Sequence, residues 1–342
     1  MKQSIVIASR AAVFFSLVVG SSIAQKISPG ARLESATVQS TLNSPDLKPW
    51  HLKLDVTVFD DTGNNPSLGA IEVWQSGADS RTVYTFGSSS STQIYHDAKI
   101  YRTSTGPELP YRASEVLQQF LHPGPDPNEI AGATPDLRKQ SFGKISLDCI
   151  MLSQPVKRVA YAPLGLFPTY CIEPGSDRLR ASYNFGTRAV IRNGMGKFLD
   201  REVTTNLTIM EGSVVVATGK VLTLTTYSPR SDEFVPTAEM KPSVLTTTIA
   251  GGVIAGQVLK KVVPVYPASA RANHVSGTVV LHAIIGRDGH VYALRPVSSP
   301  DPDLSLSAID AVRKWTYKPY LLNGEPTEVD TTITVNYNLS PS

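Results

Sequence analysis

The chain has 342 residues, 41% hydrophobic and 18% charged, with a formal net charge of +3. That length accommodates two domains of ordinary size, and the composition excludes a disordered chain. So small a charge excess offers nothing to nucleic acid, and abundant Gly and Pro beside few helix-length apolar patterns favour a β-rich architecture.

The first residues read as a secretory signal. Lys2 and Arg10 supply positive charge, Ala11–Gly20 is an apolar core, and Ser22-Ile23-Ala24 ends in a small residue suited to cleavage. The core is short of the ~20 apolar residues of a comfortable membrane span. The expectation is a signal over 1–24 and a periplasmic or secreted protein. An uncleaved segment anchored in the inner membrane is the alternative. Without those residues the formal charge falls to about +1.

From Trp50 the chain alternates, with Leu52, Leu54, Val56 and Val58 opposite His51, Lys53, Asp55 and Thr57, the pattern of a strand with one wet face. Turn formers from Asp60 to Pro66 end it. Further strands are predicted at Ala70–Trp74, Arg81–Phe86, Gln93–Tyr95 and Lys99–Tyr101. Gaps this short suit an antiparallel meander. A helix is predicted over Ala113–Leu121, stopped by Pro123-Gly124-Pro125. Strands resume near Lys144–Met151, Phe185–Ile191, Lys197–Leu207 and Val214–Thr226. Together these form one β-rich domain over residues 28–235.

Within it, Gly69-x-Ile71-x-x-Trp74, Arg81-x-x-Tyr84, an aspartate-bearing turn and Tyr101-Arg102 resemble the LolA/LolB class of envelope lipoprotein carriers. The resemblance implies a curved antiparallel sheet or half-barrel with one or two helices, whose concave face holds acyl chains. The alternative is that Trp74, Tyr84, Phe86 and Phe120 fill a core, the usual place of large apolar side chains.

Cys149 and Cys171 are the only cysteines. In an oxidising compartment a disulfide between them is the expectation, and two buried free thiols the alternative. The bridge would close a loop of about 22 residues and stabilise by roughly 3 kcal/mol.

Prolines at 229, 236 and 242 mark a short, stiff linker, placed at 236–249. Beyond it, Pro267 opens a helix over Ala268–His274, and Gly277 is placed to end it. Thr278–Ile285 and Val291–Val297 flank Gly286-Arg287-Asp288-Gly289-His290, whose Asp-Gly pair predicts a tight hairpin. Asp301-Pro302 starts a second helix, with Leu304, Ala308, Ala311, Val312 and Trp315 on one face. After Asn323-Gly324, Val329, Thr331, Ile333, Val335, Tyr337 and Leu339 alternate with Asp330, Thr332, Thr334, Asn336 and Asn338.

The ordered set Tyr266-Pro267, Gly277, Asp288-Gly289, Trp315, Tyr317-x-Pro319 and Gly324-x-Pro326 resembles the TonB family C-terminal domain, over residues 250–342. The resemblance implies two helices packed on a three-stranded antiparallel sheet, an α+β module that docks a partner peptide by strand addition. Thr332, Thr334 and Asn336 would line that edge. The partner implied is an envelope protein, such as an outer-membrane TonB-dependent transporter; a homodimer through the last strand and a lipid ligand of the N-terminal domain are alternatives. An energy transducer would add a membrane helix bearing His and a long Pro-rich spacer. This chain has no His before His51 and only the short linker, so energy transduction is not expected. The six His show no metal-ligand spacing, and no Gly-x-Ser-x-Gly or His-Glu-x-x-His motif occurs. Neither catalysis, metal nor cofactor is expected.

Overall fold

The computed structural model describes residues 27–153, 164–184, 188–243, 246–248, 251, 254 and 256–339. The signal over 1–24 lies outside them. The N-terminal region opens with α1 (Pro29–Ser40), where the Ser28 side chain accepts the Ala31 N–H and Pro29 takes the first helical position. β1 (Trp50–Val58), β2 (Ser67–Ser76), β3 (Asp79–Phe86), β4 (Ser89–His96) and β5 (Lys99–Thr105) follow as a meander. Next come α2 (Arg112–Leu121) and α3 (Pro127–Ala131).

A second meander starts at the far edge: β6 (Thr134–Phe142), β7 (Ile145–Ser153), β8 (Thr169–Ile172), β9 (Leu179–Asn184), β10 (Arg188–Phe198), β11 (Arg201–Glu211) and β12 (Val214–Thr226). It walks back until β12 pairs with β1. With β13 (Lys241–Ser243), the strands make one antiparallel sheet in the order β13-β5-β4-β3-β2-β1-β12-β11-β10-β9-β8-β7-β6. Its two ends do not meet, so the sheet is open and antiparallel, as expected.

α2 presents Val116, Leu117, Phe120 and Leu121 to one face of this sheet, among Leu52, Leu54, Val56, Leu207, Ile209 and Val216. The approach is close because Gly219 lies beneath the helix. A Cβ there would stand 2.6 Å from Phe120 and 2.8 Å from Val116. α1 and α3 close a second cluster, in which Leu33, Ala36 and Ile130 meet Ile150, Tyr170, Ile172 and Leu179. Cys149 and Cys171 face each other across β7 and β8 and form the disulfide.

The structure departs from the sequence reading in places. Among the described residues of the N-terminal region, α2 is the helix expected over Ala113–Leu121, and α1 and α3 add to it. The strand expected over Lys197–Leu207 contains a two-residue hairpin, Leu199-Asp200, closed by Phe198 opposite Arg201. Leu199 takes φ 54°, a conformation a branched side chain seldom adopts, so no turn signal stood in the sequence. Residues 185–187 of the strand expected over Phe185–Ile191 lie outside the described residues. Within 236–249, expected as a linker, Met240 is buried with Ile94 and Phe234 against Trp74 and Tyr101, β13 pairs with β5, and β14 pairs with β21 in the second sheet.

The C-terminal module begins with β14 (Thr246–Thr248) and β15 (Val258–Lys260), followed by α4 (Ala268–Ala272). β16 (Gly277–Ile285), β17 (Val291–Ser298), α5 (Pro302–Val312) and β18 (Thr316–Tyr317) come next. β19 (Leu321–Leu322), β20 (Glu325–Pro326) and β21 (Glu328–Tyr337) end it. β17, β16 and β21 form the expected three-stranded antiparallel sheet, and β14 adds a short parallel strand beyond β21. Asp301 caps α5 by accepting the Asp303 N–H at 2.8 Å. The helices cover the face bearing Val279, Leu281, Ala283, Val329, Ile333, Val335 and Tyr337.

Candidate functional site

β21 is the centre of interest because its two sides differ. Along one side it pairs with β16 throughout, from Val329 opposite Ile285 to Tyr337 opposite Gly277. Along the other, β14 pairs only with Glu328, Val329 and Asp330. Gly251 continues that cover by one step, since a Cβ there would stand 2.2 Å from the Thr332 carbonyl oxygen. That carbonyl therefore points away from β16. Main-chain groups alternate between the two edges of a strand, so those of Thr334 and Asn336 also point outward. Among the described residues no strand covers them.

The same alternation sends the side chains of Thr332, Thr334 and Asn336 to the exposed face, while Thr331, Ile333, Val335 and Tyr337 are buried. The exposed face is polar and locally paired. Thr278 donates to Asn336 at 2.8 Å, and His282 and Asp330 meet at 2.9 Å. The other edge of the sheet, β17, carries Pro296, which has no N–H to offer a partner. β21 is thus the better template of the two.

The residues that marked the module in the sequence hold this edge in place. Pro267 precedes α4, and the Tyr266 hydroxyl donates to the Val275 carbonyl while its ring meets Tyr337 edge-on, centroids 5.5 Å apart. Gly277 opens β16, and α4 ends earlier, at Ala272, with His274 rather than glycine in the left-handed region. Asp288 accepts the His290 N–H at 3.0 Å and the Tyr292 hydroxyl at 3.0 Å. Burial pushes its carboxyl up, yet these bonds and the His290 ring hold it below the ordinary value. Gly289 has φ 80°, and a Cβ there would stand 1.9 Å from the Tyr317 carbonyl oxygen. Trp315 donates its indole N–H to Val262 at 2.8 Å, Tyr317 is buried, and Pro319 follows it half-buried.

A junction with the N-terminal domain lies behind the hairpin, and the sequence reading did not find it. The Tyr111 and His290 rings stack with centroids 4.0 Å apart, and the Tyr292 hydroxyl, whose one proton is shared with Asp288, lies 2.8 Å from the Tyr111 carbonyl oxygen. Beside them, Arg112 bridges Asp61 and Glu211, each at 2.9 Å. Arg188 pairs with Glu211 and with Glu115. Burial lowers the Arg188 guanidinium to about 10, against the pull of Glu211. These partners lie far apart in the chain, on β10, β11, α2 and the β1–β2 turn, so no local pattern announced them. The pocket between the domains, lined by Asp61, Tyr111, Arg188, Glu211, His290 and Arg313, is partly open and has room for roughly one water molecule.

Among the described residues, no three His, Cys, Asp or Glu side chains gather as a metal site, and no helix is long and apolar enough to cross a membrane.

Residues 262–339 match the family described as Gram-negative bacterial TonB protein C-terminal. The match points to the cell envelope. No curated protein matches the chain. Similar solved structures include a LolA superfamily protein from Nitrosomonas europaea, with 10% identity and a TM-score of 0.39 over 61% of this chain and 98% of that one. Another is a putative outer membrane lipoprotein-sorting protein domain from Vibrio parahaemolyticus, with 8% identity and a TM-score of 0.40 over 60% and 95%.

Proposed function

We propose that this is a non-catalytic cell-envelope interaction protein of the periplasm, whose C-terminal module takes up an extended segment of a partner protein beside β21. The reading rests on one observation: Thr334 and Asn336 turn both main-chain groups and side chain toward solvent, past the point where β14 and Gly251 stop. A strand laid there would bond to the backbone, and the polar side chains would select its sequence. An outer-membrane transporter is the partner the module's kinship favours. The buried junction behind the hairpin ties this edge to the N-terminal domain, so the module is not carried on a long spacer, and we do not propose energy transduction.

The carrier reading has less behind it, since the face under α2 is filled by Val116, Leu117 and Phe120. A lipid would have to lift α2 off Gly219.

Thr334→Pro tests the proposal. It removes an outward N–H while leaving the β16 side of the ladder intact, so the fold should hold. Immobilised wild-type protein should retain a specific outer-membrane protein from envelope extract, and T334P should lose it with unchanged circular dichroism. Equal retention by both, or no retention by either, would sink the proposal.

A further inference from the structure

The extended segment from Val258 to Tyr266 carries apolar side chains on both its inner and its outer side. Val258, Val262 and Tyr266 pack inward against the module core. Leu259, Val263 and Val265 point outward and are 70%, 80% and 80% exposed. The segment is held firmly: Lys318 N–H donates to Gln257 at 2.8 Å, Val258 pairs with Tyr317, and Trp315 donates to Val262. Its apolar side chains are therefore displayed on a fixed backbone. A soluble protein seldom displays such a row without use.

Charge narrows what covers it. Lys260 and Lys261 lie within the row and are exposed, and Lys318 and Arg271, also exposed, flank it. From Met240 to Arg287 the chain has no Asp or Glu at all. Backbone chemistry narrows it further. Pro264 and Pro267 remove two amide donors within four residues, so this segment is a poor template for an added strand. What it offers is aliphatic side chains among cations, the combination that seats a protein in the headgroup layer of an anionic bilayer.

We propose that the Leu259–Val265 row is a lipid-surface docking site, which lays the C-terminal module on a negatively charged membrane leaflet. Val263 and Val265 enter the interface and Lys260 and Lys261 meet the headgroup phosphates. The site is separate from the β21 edge, so either can fail alone.

Flotation with vesicles tests it, using the chain from Gln25 onward, which contains every described residue and lacks the apolar Ala11–Gly20 stretch. Wild type should float with vesicles of equal phosphatidylglycerol and phosphatidylcholine, and at least tenfold less with phosphatidylcholine alone. High salt should weaken the binding. Val263→Asp with Val265→Asp should abolish flotation, and Lys260→Glu with Lys261→Glu should reduce it about tenfold. The valine pair is exposed and should leave thermal stability unchanged; Lys261 also lies over the Trp315 ring, 4.9 Å from its centroid, so the lysine pair is assayed well below its own melting temperature. Absence of wild-type flotation would overturn the proposal, as would flotation that the substitutions leave unchanged. A wild-type dimer dissolved by the Val263 and Val265 substitutions would also overturn it, assigning the row to a second copy of the chain.

Discussion

Tyr111 and His290 lie face to face, their ring planes 3° apart, one at the corner before α2 and the other beside the hairpin of the C-terminal module. The Arg112 guanidinium covers the Tyr111 ring 4.3 Å from its centroid, so one aromatic side chain joins a buried ion network to the neighbouring domain. Tyr111→Ala should remove the stack and the cation contact, costing about 2 kcal/mol in all. Tyr111→Phe keeps both and loses only the bond to Asp61, so it should cost well under half of that. Calorimetry checks this. The alanine variant should unfold in two separated transitions, with the C-terminal module melting first.

The same junction should weaken in acid. Burial pushes Glu211 and Asp61 up, but Arg188 and Arg112 for the first and Arg112 for the second hold both below their ordinary values of 4.5 and 3.8. Asp288 is also held low. A group with a depressed folded value binds fewer protons folded than unfolded, so its contribution is complete above the ordinary value and falls as pH drops through the folded one. The carboxylates' share of the stability should be constant from neutral pH to about 4.5 and decline below it, beneath a separate loss that starts below the ordinary value of 6.5 as His122, held low by burial, gains a proton in the unfolded chain. Glu211→Gln should flatten part of that decline while lowering stability at neutral pH, because it leaves Arg112 and Arg188 short of a counter-ion. Thermal unfolding across pH 3–7 would show the idea to be wrong if both proteins declined in parallel.

How much of this could be read beforehand follows the range of the interactions. The last strand, the Asp288-Gly289 turn and the Asp301 cap are local patterns, and each stands where the alternation or turn chemistry put it. α1 has no apolar stripe to announce it: of its buried residues Leu33, Ala36 and Ser40, only the first two are apolar. β8 and β9 are short strands that no alternation marks. The docking edge was half legible. Thr332, Thr334 and Asn336 could be placed on the exposed face by counting, but the cover over Thr332 depends on a pairing between segments some 80 residues apart. Arg112 and Glu211 illustrate the same limit, since nothing near either residue names the other.

The disulfide should matter more than its neighbouring hydrogen bonds. Cys149 and Cys171 occupy directly opposite positions on β7 and β8, at a sequence separation of 22. Closing such a loop restricts the unfolded chain by roughly 3 kcal/mol. Cys149→Ala with Cys171→Ala should therefore lower the melting temperature of the N-terminal domain by about 5–10 °C. An unchanged melting temperature would mean that strand pairing alone already holds this corner.

β14 decides how long the docking edge is. Its three residues cover the N-terminal part of β21, and a chain that adds there must either stop short of Asp330 or displace them. The outward amides Thr334 and Asn336 should exchange with deuterium quickly in the wild type, whereas Ile333 and Val335, bonded toward β16, should be protected. Replacing Thr246→Gly, Thr247→Ser and Thr248→Gly lowers strand propensity without touching β21. The Asp330 amide should then join the fast-exchanging set, with protection at Ile333 and Val335 kept. That pattern would make β14 a displaceable cover over a longer groove. Loss of protection along the whole of β21 would instead show that β14 is part of what keeps the last strand in its sheet, and the docking edge would be limited to the stretch beyond Thr332.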